Sequence, residues 1–66
     1  MLPAISAPEV PVNTIRTLGP VGPAYQVGRP LRQLADGDWL VQIQLLESDE
    51  LGEYRLSRVL SDPIAA

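Results

Sequence analysis

The sequence has no cysteine, no histidine and no lysine. Lack of cysteine rules out disulfides and a thiolate nucleophile or ligand. Together the three absences leave Asp, Glu, Tyr and Ser for acid–base or nucleophilic work. Two carboxylates could act as a glycosidase-like pair only across a cleft, and a sheet built from 66 residues offers little cleft. We therefore expect no enzyme and no cofactor. Long apolar runs are also missing: nothing approaches the ~20 residues a helix needs to span a bilayer. The N-terminus lacks a basic stretch, and Pro3, Pro8 and Pro11 interrupt its apolar residues, so it does not read as a signal peptide. The expectation is a cytoplasmic protein without membrane contact.

Positive charge is scarce as well. All five cations are arginines, and the net charge is −3 at pH 7. Residues 1–35 hold three arginines against Glu9, whereas residues 36–66 hold seven carboxylates against Arg55 and Arg58. Phosphate affinity follows cation count, so this balance argues against a nucleic-acid or membrane-surface binder. The apolar share, 45%, suits one small globular domain. A domain this short buries only about 60% of the surface of its unfolded chain. Its core is thin, which makes a homo-oligomer or a bound partner an expected source of extra stability.

Seven prolines and five glycines favour a loop-rich β fold. Residues 1–12 carry Pro3, Pro8 and Pro11 and read as an extended or disordered arm; residues 13–66 read as a single small β domain. Residues 13–18 are β-prone, with Ile15 and Leu18 inward. Gly19-Pro20 and Gly22-Pro23 punctuate a turn, and Ala24–Val27 opens a strand with Tyr25 and Val27 on one face. Gly28-Arg29-Pro30 breaks or bends that strand before Leu31–Leu34 resumes it.

The organising stretch runs from Asp36 to Leu46. Asp36-Gly37 signals a hairpin, for which a type I′ turn is expected. Trp39, Val41, Ile43 and Leu45 then fall at spacing two, the alternation of a half-buried strand. Two registers are open: a two-residue loop pairs Leu34 with Trp39, and a three-residue loop pairs Ala35 with Trp39 and sets Leu31 beside Ile43. Residues 47–53 read as an acidic loop and Glu53–Leu56 as the returning strand, with Tyr54 and Leu56 inward. Ser57 is placed to cap a helical turn whose apolar face is Leu56, Val59 and Leu60. Asp62-Pro63 ends it, with Ile64 as a lid. The fold class is mainly β: a small antiparallel sheet or partly open barrel of three to four strands, with a short C-terminal helical turn.

These segments, taken in order, resemble a family of short uncharacterised bacterial proteins. The similarity rests on residues 15–28, Gly37-Asp38-Trp39, Glu53-Tyr54-Arg55-Leu56-Ser57 and Asp62-Pro63. The family has a shorter Thr/Ser-Gly-Glu-like turn where this chain has Glu47–Gly52. The resemblance implies no activity. It suggests a setting in genomic islands or phage-like regions, where small accessory genes often encode binders or inhibitors.

Candidate metal ligands, Asp36 with Asp38 and Glu47 with Asp49 and Glu50, match no EF-hand spacing, and the first pair is explained by turn chemistry. A nucleic-acid reading would stack bases on Tyr25, Trp39 and Tyr54 beside Arg29, Arg32 and Arg55. Protein binding fits better. Glu47, Asp49, Glu50 and Glu53 would face a basic surface, standing in for phosphates if that surface normally holds nucleic acid. An exposed strand edge offers a second route, to another protein or to a copy of this chain, with Arg29, Arg32 and Arg55 at the rim.

Overall fold

Alternation in the central segment becomes one strand of a four-stranded sheet. The computed structural model describes residues 8–65. Four antiparallel strands, β1 (Ile15–Thr17), β2 (Ala24–Gln33), β3 (Trp39–Leu45) and β4 (Leu51–Arg55), lie side by side in chain order, and α1 (Leu56–Ser61) follows. Of the two expected forms, this is the open sheet. Residues 1–7 of the expected arm lie outside the described residues; within 8–12, Val10 packs against the core.

Spacing two on β3 sends Val41 and Ile43 into the core, with Trp39 and Leu45 packed at its margin. Cross-strand partners extend that face: Tyr25 lies opposite Leu45, Val27 opposite Ile43 and Tyr54 opposite Val41. The Tyr25 and Tyr54 rings meet edge to face at 5.7 Å and 72°. Leu56 and Val59 of α1 close the cluster, and the core is Tyr25, Val27, Val41, Ile43, Leu56 and Val59. The helix thus covers one face of the sheet and leaves the other open.

The hairpin differs from both expected registers. Leu34 and Asp38 close a three-residue loop, Ala35-Asp36-Gly37, and Gln33 pairs with Trp39. Only Gly37 takes positive φ (92°), so the turn is type I followed by a left-handed glycine rather than type I′. Asp36 favours this form because its Oδ1 accepts the Asp38 N–H at 3.0 Å. Gly28-Arg29-Pro30 bends β2 without breaking it. The register slips between Val27 and Pro30 and again between Pro30 and Arg32, two bulges that also separate Leu31 from Ile43. Gly28 is required there: a Cβ would sit 2.8 Å from the Gln42 carbonyl oxygen.

Three inward assignments are corrected. Ile15 pairs with Gln26 on the open side, and Arg16 takes the core side opposite Tyr25. Leu60 is 58% exposed, because six helical residues direct only Leu56 and Val59 at the sheet. Ile64 is 70% exposed and forms no lid; it pairs by backbone with Arg16. Its neighbours extend this contact: Thr17 N–H donates to Pro63 and Ala65 N–H to Ile15. Residues 63–65 thereby cover the outer edge of β1.

Burial separates two residues that sequence spacing groups together. Val59→Ala should cost about 2 kcal/mol in a denaturant melt, from ~0.8 kcal/mol per buried CH₂ plus a cavity contribution. Leu60→Ala should stay within ~0.5 kcal/mol of wild type. Equal losses would contradict the packing.

Candidate functional site

With α1 on one face and residues 63–65 along β1, one face and one edge remain. Even-numbered positions of β3 and their partners build the open face: Gln26 opposite Gln44, Gln42 opposite Glu53, Leu51 opposite Gln44 and Leu40 opposite Arg32 and Arg55. Asn13, Gln26, Gln42, Gln44 and Leu51 line a shallow depression of about 170 Å³ on it. Leu31, Gln42, Leu51 and Glu53 line another of about 230 Å³ beside β4.

The free edge is β4. Leu45 N–H donates to the Glu50 carbonyl at 2.8 Å, which fixes the phase of the ladder. Residues 50, 52 and 54 aim their backbone groups at β3; residues 51, 53 and 55 aim theirs outward by the alternation of antiparallel pairing. Among the described residues, no backbone group pairs with that outer edge.

The expected site residues divide. Glu47, Asp49 and Glu50 are exposed in the turn that leads into β4; Asp49 holds positive φ (59°) and donates its N–H to Leu45. Glu53 lies in the strand, so the acidic loop ends at Glu50 rather than Glu53. Its carboxylate meets Arg32 at 3.3 Å, with both side chains at least half exposed, a pairing of small energetic weight. Arg29 is exposed within the first bulge of β2 and makes no ion pair among the described residues.

Arg55 is not a free rim residue. It reaches back to the hairpin turn, at 2.6 Å from Asp36 and 3.4 Å from Asp38. Asp38 in turn accepts from the Ser57 hydroxyl at 2.6 Å and the Ser57 N–H at 3.3 Å. Ser57 is therefore not the cap. It sits inside α1, Arg55 is the N-cap without a side-chain bond, and Asp38 supplies the acceptor from a distant turn. The Arg55 guanidinium holds the Asp36 carboxyl below its ordinary range, with help from the Asp38 N–H. The Ser57 hydroxyl, then the Trp39 N–H, do the same for Asp38.

A second cluster, absent from the sequence reading, fixes the other end of α1. Arg16 donates to the carbonyls of Val59 and Asp62 at 3.0 and 3.1 Å. Asp62 accepts from the Tyr25 hydroxyl at 2.7 Å and the Gly19 N–H at 3.2 Å. Burial, then that bond to Asp62, raises the Tyr25 hydroxyl above its ordinary range; burial also raises Tyr54.

The aromatic side chains do not make a platform on the open face. Tyr25 is buried, and Trp39 and Tyr54 pack against the core on the helix side. Among the described residues, no three carboxylates stand together to hold a metal ion, and no helix is long and apolar enough to cross a membrane.

The chain is similar to a protein family and to a bacterial protein. A family described as a family of unknown function (DUF5397) matches residues 3–66. An uncharacterised protein of Haemophilus influenzae is 46% identical over 57 residues, covering 86% of this chain and 90% of that protein.

The two clusters predict opposite pH limits. Asp36 and Asp38 ionise more readily in the fold than at their ordinary 3.8. Their stabilisation is complete above that value and is lost as pH falls through the lowered native values. Tyr25 and Tyr54 hold their protons more tightly than the ordinary 10.0, so their contribution is complete below 10.0 and falls as pH rises beyond it. Thermal melts across pH should show a plateau with losses at both ends. Asp38→Asn should lower the plateau and flatten the acid loss; Tyr25→Phe should flatten the alkaline one. Unchanged profiles would contradict these assignments.

Proposed function

The chain belongs to DUF5397, a family of unknown function, and from its geometry we propose that it is a non-enzymatic protein-binding domain that engages its partner along the β4 edge and the adjoining open face. One observation carries this reading: among the described residues, fold-internal contacts cover one face and one edge of the sheet and leave β4 beside the acidic turn uncovered. An exposed edge is a template for another strand, and natural proteins usually blunt it. Here the strand begins at Leu51, 66% exposed, and the Glu53–Arg32 pair is weak enough to exchange. Backbone hydrogen bonds would give affinity, and side chains on the open face would give selectivity. In the cell we place this activity in the cytoplasm of a bacterium, as an accessory or inhibitory role attached to a mobile element.

Nucleic acid is the weaker reading because the aromatic side chains it would use lie on the helix side. Self-association uses the same edge and is separated from a foreign partner by mass.

A photo-crosslinking residue placed at Leu51 should capture a protein in cells of the source organism, and the adduct should survive nuclease. The same probe at Val21, which is 96% exposed in the loop between β1 and β2, on the opposite side of the sheet from β4, should not capture it. Glu53→Pro should abolish capture with little loss of stability, since the missing N–H points away from β3. Capture of a second copy would make the partner the chain itself. Recovery of nucleic acid, or equal capture from Val21, would overturn the proposal.

A further inference from the structure

We infer that the segment received by β4 is a basic extended peptide that runs antiparallel to it, with a Lys or Arg opposite Glu53 and an aliphatic residue two positions later, opposite Leu51. The inference rests on the edge-binding reading above and deepens it.

The backbone supplies the first part. Leu51 and Glu53 each direct an N–H and a carbonyl outward, and Arg55 adds an N–H. An antiparallel strand can exchange both bonds with Leu51 and both with Glu53. Its residues at those two positions are then spaced by two and project onto the open face, as Leu51 and Glu53 do.

Side chains supply the second. Leu51 and Glu53, with Leu31 and Gln42, form the depression of about 230 Å³ beside β4. An aliphatic group opposite Leu51 would rest against its side chain, which is 66% exposed. A cation opposite Glu53 would meet a carboxylate whose present partner, Arg32, is 60% exposed and easily displaced.

Charge supplies the third. Beyond Leu51 the incoming chain passes the exposed turn with Glu47, Asp49 and Glu50. No arginine pairs with that turn among the described residues. At the far end of β4, Arg55 is already held by Asp36 and Asp38, so it does not offset the acidic character of the edge. The complementary segment therefore reads basic–any–aliphatic, followed by further basic residues toward its C-terminal end.

The test is an amide NMR titration of the full chain with three short peptides. One reads Lys-Thr-Val-Thr-Lys-Thr-Lys, one replaces each lysine by threonine, and one replaces each by glutamate. The lysine peptide should shift the Leu51 and Glu53 amides and slow their exchange. The threonine peptide should bind about tenfold more weakly, the scale of two or three exposed ion pairs, and the glutamate peptide should not bind. Glu50→Gln with Glu53→Gln, or added salt, should bring the lysine peptide down to the threonine peptide. If lysine and threonine peptides shift those amides equally, the charge inference fails and the edge reading stands. If no peptide moves them, or if the lysine peptide moves only amides elsewhere, both fail. A single-stranded oligonucleotide that moves the same amides more strongly would overturn the peptide assignment.

Discussion

The docking of α1 is the constraint on which the rest of this structure depends. Six residues are too few to form a stable helix alone, since nucleation is costly and few hydrogen bonds follow it. The residue at the N-cap of α1, Arg55, supplies no side-chain cap. Asp38 satisfies its N-terminus from the β2–β3 turn, and Arg16 satisfies its last carbonyls from β1. Leu56 and Val59 then enter the core between those two anchors. Each anchor joins segments far apart in sequence, so the helix, the hairpin and the first strand form as one cooperative unit.

This docking also decides what stays open. The same chain end that carries α1 continues through Asp62 and Pro63 to lie along β1. One face and one edge are therefore occupied by a single C-terminal segment. Everything left over, the glutamine and leucine face and the β4 edge, lies together and next to the acidic turn. The functional proposal follows from that asymmetry and does not depend on any individual charged residue.

Much of this fold was legible in the sequence because it is local. Alternation from Trp39 to Leu45, the Gly-Pro punctuation before Ala24 and the Asp62-Pro63 stop each reflect physics acting within a few residues. What was not legible is long-range or depends on one-residue differences. Nothing near Ile15 signals that Arg16 would take the core side, because the reward for that choice is a carbonyl of Val59 more than forty positions away. Ser57 carries a capping signal, yet the acceptor comes from Asp38, and Ser57 becomes the donor. The hairpin register failed for a different reason: Asp-Gly suits several turns, and two bulges in β2 shift every pair by one step and then another. Of the site residues, the turn acids and Glu53 are all exposed, but Glu53 lies within β4 rather than in the turn. Arg55 was misplaced because its partners, Asp36 and Asp38, had been assigned to turn chemistry alone.

Amide hydrogen exchange along β4 tests the central claim most directly. The account predicts alternation: slow exchange at Gly52 and Tyr54, whose N–H groups face β3, and fast exchange at Leu51, Glu53 and Arg55, whose groups face outward. Slow exchange at all five positions in the isolated protein would mean that the edge is already closed, and would contradict the account.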